Sequence, residues 1–426
     1  MIQELKSERL NETYYRIDHP SGLTVLLYPM AGFSTAYALY GTRYGSIDTT
    51  FRSGDNEEFI TVPEGVAHFL EHKLFENEDG VDAFELFAKT GASANAFTSF
   101  DRTCYEFTCT GHFEESLEIL LNFVQSPYFT EKTVEKEQGI IGQEIRMLQD
   151  RPGWKVLFNL LNALYVNHPV RVDIGGTVES IAEIDAELLY RCYRTFYNAN
   201  NMVLAIAGNF DYKKAAEIVD RCVKPADSSL KADSKMPAEP LEVAQKKIED
   251  KLEVSVPLFN IGYKELPVSG MNLVKALAEL EILVEIVTGE GSRFYREAYD
   301  ASLINSTFSS ELFTGPNYFA VLFDGESREP MKVYEALNRA ISGFKKNGIL
   351  PDEFDTAKRA VYGRYVRGFN NVENISYSLI TAHFQNVGLY DMIEAVAAVT
   401  FDDVTKRLAG SMEEGRSAIS IVNPIQ

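Results

Sequence analysis

The chain has 426 residues, 45% of them hydrophobic, which is too long for one ordinary core and predicts two or more domains. Its 62 acidic residues outnumber its 41 basic residues and give a formal net charge of −21. This balance excludes a typical duplex-binding protein, which needs a basic face, so we expect no nucleic-acid partner.

The sequence carries no mark of a secreted or membrane protein. The opening MIQELKSERLNETYYR is polar and charged, so we expect no signal peptide. The longest apolar run, Leu280 to Val287, is interrupted by Glu281 and Glu285 and is too short to span a membrane. The 4 cysteines form no C-x-x-C pair, which favours free thiols in a reducing compartment over the alternative of disulfides. Together these features predict a soluble, cytoplasmic protein.

The first elements are predicted to be strands. Residues 14–29 read as a hairpin that turns at Pro20, Ser21 and Gly22, and residues 36–44 read as a further strand.

The stretch from Glu64 to Gly80 is predicted to carry a metal helix. His68 and His72 are four residues apart, so they share one helix face and can point at one ion. Glu71 lies one step round from His72, where it can reach a water molecule but is badly placed as a ligand. The pattern is H-x-x-E-H, the reverse of the H-E-x-x-H zinc helix. Two ordinary core histidines are the alternative, and a third ligand elsewhere in the chain decides between them.

A helix and two strands follow. Residues 82–90 have helical spacing and stop at Gly91, a natural C-terminal cap. Residues 95–98 and 103–109 alternate as strands, and by pattern alone they form an ordinary amphipathic hairpin.

A long helix is predicted over residues 130–148, after a shorter one at 113–125. It places Glu137 and Glu144, seven residues apart, on one face. A carboxylate among apolar neighbours is costly unless it is paired or bound to a metal. Spacing alone still favours a solvated glutamate at position 144.

The second half repeats the first in element order. Residues 225–245, rich in Ser, Asp, Lys and Pro, are predicted to be a linker between domains at 1–224 and 246–426. When the two halves of the sequence are aligned with an offset of 220 positions, Arg364 matches Glu144 and Ala357 matches Glu137. The second copy has no H-x-x-E-H and its only histidine is His383, so we expect an inactive domain that keeps the fold without a metal site.

The chain resembles the pitrilysin/insulinase family of zinc peptidases. The resemblance rests on five blocks: HFLEH, GASANAFTS, VEKEQGIIGQEI, HPVRVDIGGTVESI and FYNANNMVLAIAG. The short bacterial members, which are similar to mitochondrial processing peptidase subunits, resemble it most. The resemblance implies an α+β fold of two homologous α/β-sandwich halves that face each other as a clam shell. Each half would have a mostly antiparallel sheet with helices on one face.

The resemblance also implies a role for each site residue. His68, His72 and Glu144 would bind one Zn2+ per chain, with Glu71 as the catalytic base and Glu137 supporting catalysis from behind the ligands. An edge strand at Asn95, Ala96 and Phe97 would hold an extended peptide substrate. The implied activity is that of a zinc metalloendopeptidase. A non-catalytic assembly subunit of the same fold is the alternative, although the zinc set kept here favours the enzyme.

One segment departs from the family pattern. Related enzymes carry an Arg and a Tyr in a segment resembling L-R-E-K-x-G-L-x-Y, and the matching stretch here is YREAYDASLIN. Arg296 and Glu297 fall on the R-E of the pattern, but Asn305 stands where the Tyr would be. In two-subunit members a partner without zinc supplies that pair, so the resemblance implies a heterodimer, with a homodimer as the alternative.

Overall fold

The computed structural model describes residues 2–54, 58–78 and 80–425. The chain divides into two compact units, each discontinuous in sequence. Unit 1 comprises residues 1–145, 173–236 and 367–389, and unit 2 comprises residues 146–172, 237–366 and 390–426.

The core of unit 1 is a seven-stranded sheet in the order β1-β2-β3-β9-β4-β8-β7, beside a small sheet in the order β10-β5-β6. Its strands are β1 Ile2–Ser7, β2 Glu12–Asp18, β3 Thr24–Pro29, β4 Ala36–Thr42, β5 Thr50–Arg52, β6 Ile60–Thr61, β7 Ser93–Thr98, β8 Thr103–Cys109, β9 Met202–Gly208 and β10 Asp233–Ser234. Its helices are α1 Val66–Lys73, α2 Ala83–Thr90, α3 Phe113–Val124, α4 Glu131–Gln149, α6 Val178–Ile181, α7 Ala186–Phe196, α8 Tyr212–Cys222 and α13 Val372–Phe384, with the end of α4 crossing into unit 2.

Unit 2 is built on a five-stranded sheet in the order β11-β15-β12-β14-β13. Its strands are β11 Lys247–Leu252, β12 Leu258–Lys264, β13 Ser309–Gly315, β14 Tyr318–Glu326 and β15 Ser417–Pro424. Its helices are α5 Pro152–Leu164, α9 Gly270–Thr288, α10 Arg293–Asp300, α11 Pro330–Asn347, α12 Pro351–Gly368, α14 Asp391–Ala398 and α15 Phe401–Gly410.

The two sheets repeat one connectivity, as the element order of the sequence predicts. In unit 1, β3 runs parallel to β9, and β4 pairs antiparallel with both β9 and β8, which in turn pairs with β7. In unit 2, β11, β15, β12, β14 and β13 make the same pairs in the same senses. The predicted α+β class with a mostly antiparallel sheet in each half is confirmed.

Each unit contains one helix from the other half of the sequence. The observed division therefore differs from the predicted one, in which two continuous domains are joined by a linker at residues 225–245. Helix α5 packs on β11, β12 and β15 of unit 2, although its chain neighbours belong to unit 1. Helix α13 packs on β4 and β9 of unit 1. The amphipathic pattern of a helix shows that one face is buried but not which sheet buries it, so sequence periodicity missed the exchange.

Helix α13 explains why β4 and β9 are apolar on both faces. Every residue of both strands is buried. Alternate residues of a strand point to opposite faces, so one face of β4 joins the main core and the other meets α13. On that second face a Cβ added to Gly41 would lie 3.2 Å from Ile380 of α13.

The predicted helix at residues 82–90 is confirmed. Helix α2 begins after Asp82, whose side chain accepts a hydrogen bond from the backbone N–H of Phe84, and it ends at Gly91, which has a left-handed φ of 74°. All four cysteines are free thiols, and three of them are buried. Among the described residues, no helix is long and apolar enough to cross a membrane.

Candidate metal centre

Helix α1 holds both histidines of the H-x-x-E-H pattern. It starts after Gly65, which has a left-handed φ of 89°. A Cβ at Gly65 would stand 2.4 Å from the carbonyl oxygen of Gly175, so the close approach of these two loops requires glycine there. Phe69 and Leu70 are fully buried beneath the helix. Because this face is fixed in the core, the His68 and His72 rings project together, with centroids 4.6 Å apart.

Glu144 of α4 converges on the two histidines. One donor atom from each of His68, His72 and Glu144 lies within 4.8 Å of the others. Glu144 Oε2 is 3.8 Å from His68 Nε2 and 3.5 Å from His72 Nε2. Two ligands of a tetrahedral zinc ion lie about 3.4 Å apart for bonds of about 2.1 Å. Two imidazole nitrogens and one carboxylate oxygen therefore fit a zinc ion with small adjustments.

Glu137 lies on α4, like Glu144, and contacts the ring nitrogen of His72 that faces away from Glu144. It is 6% exposed, and its Oε1 is 3.0 Å from Nδ1 of His72. A proton on Nδ1 donated to Glu137 leaves the Nε2 lone pair free for a metal ion. Burial lowers the pKa of His72, but the hydrogen bond to Glu137 and the neighbouring carboxylates outweigh it and raise the pKa overall.

His68 is held in its neutral form. Burial, and then the proximity of His72, lower its pKa to about 3. Its Nδ1 is buried and has no hydrogen-bond partner among the residues that the structure describes. A neutral imidazole is the form that binds a metal ion.

Glu71 lies beside this group without joining it. The side chain is buried, and burial raises its pKa to about 7. Thr98 donates a hydrogen bond of 2.8 Å from its Oγ1 to Oε2 of Glu71. A carboxyl group whose pKa is near neutrality suits general acid–base chemistry. Sequence reasoning missed Thr98, because nothing in a strand of alternating residues shows which distant side chain a hydroxyl meets.

The residues predicted to bind substrate lie on β7, the last strand in the order of the unit 1 sheet. Asn95 is exposed, while Ala96 and Phe97 are half-buried. Ala96 packs against the main core, and Phe97 points to the opposite face, where its ring lies 5.4 Å from that of Tyr377. An edge strand presents unpaired backbone groups to which an extended peptide can add.

The segment that departs from the family pattern lies in unit 2. Arg296 and Glu297 are exposed on α10, where Glu297 pairs with Arg293. The amide of Asn305 lies 3.2 Å from Glu326, with which it forms a hydrogen bond.

In unit 2 an ion pair stands at the positions that correspond, by element order, to the candidate metal ligands of unit 1. By element order, α9 and α12 correspond to α1 and α4. Glu281 and Glu285 are spaced like His68 and His72, and Arg364 falls at the position of Glu144. The guanidinium of Arg364 lies 2.5 Å from Glu285 Oε2 and 3.5 Å from Glu281 Oε2. Unit 2 therefore links these two helices through Arg364.

We expect Arg364→Leu to lower the free energy of unfolding by about 1 kcal/mol, because the pair is partly exposed and screened by solvent. The substitution leaves Glu281 and Glu285 without their shared cation. Urea denaturation followed by circular dichroism measures the change. Arg359→Leu, at an exposed position of the same helix, is the matched control. Equal stability of the two variants would show that the ion pair contributes nothing.

Two family models match the chain. Residues 60–178 match Insulinase (Peptidase family M16), and residues 183–361 match the Peptidase M16 inactive domain. The uncharacterised zinc protease YmfH of Bacillus subtilis (strain 168) is 37% identical over 428 residues, which cover 100% of both chains. The zinc protease YmxG of the same strain is 26% identical over 310 residues, or 70% of this chain and 73% of that one.

Solved structures share the fold over the whole chain. An M16-like protein from Alicyclobacillus acidocaldarius has a TM-score of 0.92 at 32% identity and covers 100% of this chain and 98% of its own. Pitrilysin has a TM-score of 0.77 at 18% identity, with 99% of this chain matched to 46% of that one. A relative matched from end to end and family models over both halves lead to one conclusion: the chain belongs to the insulinase family, peptidase family M16.

Proposed function

We propose that this protein is a zinc-dependent endopeptidase that cleaves extended peptides or unfolded segments. One observation carries the proposal: His68, His72 and Glu144 offer three donor atoms within 4.8 Å of one another, and the buried Glu71 lies beside them. The names of its relatives as zinc proteases support the same activity.

The chain's own residues would divide the chemistry between them. When bound, zinc would act as a Lewis acid that polarises the scissile carbonyl and lowers the pKa of a water molecule. His68, His72 and Glu144 would hold the ion, and Glu137 would keep the His72 ring oriented through Nδ1. Glu71 would take a proton from the attacking water and pass it to the leaving amine.

Strand β7 would hold the substrate by its main chain. A peptide added to this edge needs an extended backbone, so a folded protein would have to expose a loose segment first. Hydrogen bonds between backbones do not distinguish side chains. We therefore expect cleavage of many unstructured peptides and little cleavage of compact domains.

A peptide assay tests the proposal. The protein, purified together with any homologous subunit that co-elutes with it, would be incubated with internally quenched peptides, with and without a chelator, and its zinc content would be measured by mass spectrometry. We expect cleavage that the chelator abolishes and added zinc restores, with one zinc ion per chain. Bound zinc without turnover, even with the partner supplied, would instead favour a non-catalytic subunit of this fold.

We also propose that the active form is a heterodimer with a homologous subunit that lacks zinc and supplies an Arg and Tyr pair. The support is that Asn305 stands where the Tyr of the family pattern is expected. Light scattering after size-exclusion chromatography, combined with the peptide assay, tests this. Full activity of the purified chain as a monomer or homodimer would contradict it.

A further inference from the structure

We infer that Thr98 is a positioning residue that fixes the orientation of Glu71, so that strand β7 sets the place of both the peptide and the base. The inference rests on the proposed peptidase function. Its foundation is the hydrogen bond of 2.8 Å from Thr98 Oγ1 to Glu71 Oε2.

The hydroxyl of Thr98 lies beside that of its neighbour on β8, which does not compete for its hydrogen. Thr98 pairs with Thr103 across the two strands, and their hydroxyl oxygens are 3.3 Å apart. Thr103 is fully buried and donates its own hydrogen to the carbonyl oxygen of Tyr44 at 2.9 Å. Since the hydrogen of Thr103 is committed to Tyr44, the hydrogen of Thr98 stays available for Glu71.

This hydrogen bond limits the freedom of Glu71. A glutamate has three side-chain torsions, so a carboxylate without partners samples several orientations. Thr98 anchors Oε2 and leaves Oε1 as the oxygen free to meet a water molecule. A buried carboxylate also needs a donor, because leaving it unsatisfied is costly. Thr98 therefore selects one orientation of the buried Glu71 side chain.

Thr98 lies on the same strand that is proposed to bind the peptide, which would give its hydrogen bond to Glu71 a role in catalysis. Thr98 is the last residue of β7, two positions after Ala96 and on the same face of the sheet. The backbone of β7 would then position both the peptide, paired with residues 95–97, and the Glu71 carboxylate, anchored at Thr98. Errors in the distance between base and scissile bond are costly, since a misplacement of about 1 Å can reduce a rate by roughly 100-fold.

Three variants test the inference. Thr98→Val keeps the β-branched shape and removes the hydroxyl, whereas Thr98→Ser restores it. Thr108→Val makes the same change at an exposed position of β8 and is the matched control. Each protein would be assayed for zinc content and for kcat and KM on a quenched peptide, and Thr98→Val would be crystallised without metal.

We expect Thr98→Val to bind zinc like the wild type and to lose roughly 10- to 100-fold in kcat, with KM changed less than about twofold. Thr98→Ser and Thr108→Val should stay within about threefold of the wild type. In the Thr98→Val crystal the Glu71 carboxylate should leave its present position. An unchanged kcat, or an unmoved Glu71, would overturn the inference. If the wild type cleaves nothing even with its homologous subunit present, the proposed function fails, and the crystal structure still decides the role of Thr98.

Discussion

Glu71→Gln is expected to keep one zinc ion per chain and to cleave peptides about 100- to 10,000-fold more slowly than the wild type. The glutamine has nearly the same shape and still accepts the hydrogen bond from Thr98 through its amide oxygen. Its amide cannot take up a proton at neutral pH, so the proton transfer is lost while the three proposed ligands, His68, His72 and Glu144, are untouched. Initial rates on a quenched peptide and metal analysis of the same sample measure both parts.

Glu85→Gln on α2 is the control for this prediction, because it makes the same chemical change at an exposed position in unit 1. It should cleave like the wild type. If Glu71→Gln were equally active, Glu71 would not be the base and another residue would have to receive the proton.

Glu144→Gln is expected to weaken zinc binding by more than about 100-fold and to abolish cleavage at low zinc concentrations. Glu144 would supply the only negative charge among the three ligands, and an amide oxygen offers the cation a neutral donor in its place. Exchange of a residue that merely supports a ligand already costs about 10- to 100-fold in metal affinity. Competition with a chromophoric chelator measures the affinity directly.

The matched control is Glu135→Gln, on the exposed side of the same helix. It should bind zinc like the wild type. Because it removes the same charge from the helix but no proposed ligand, it shows whether the loss of charge alone weakens zinc binding. Wild-type affinity in Glu144→Gln would mean that a different residue completes the zinc site.

Much of the local structure could be predicted from the sequence because short-range rules control it. The helix at residues 83–90 is bounded by Asp82 and Gly91, and these residue types form caps wherever they stand next to a helix. The repeated element order likewise predicted two sheets of one connectivity. In contrast, β1 was not predicted, because IQELKS is mostly exposed at the edge of the sheet and has no alternating apolar face.

The environment of Glu144 shows where local reasoning is limited. Its isoleucine neighbours suggested an apolar setting, and Ile141 and Ile145 are indeed buried. Ile140 is 45% exposed, however, and the Glu144 side chain itself is 31% exposed. Base rates of burial favoured a solvated glutamate, and only the fold brings this carboxylate within 3.5 Å of His72.

The sequence by itself determined the helix that carries H-x-x-E-H, the spacing of its two histidines and the order of the elements, because helical and strand periods act over a few residues. The tertiary structure decided which distant side chains meet them: Glu144 beside the histidines, Thr98 on Glu71, and the exchange of α5 and α13 between sheets. These contacts join segments far apart in the chain. They depend on how complete elements pack together, which no local pattern of residues specifies.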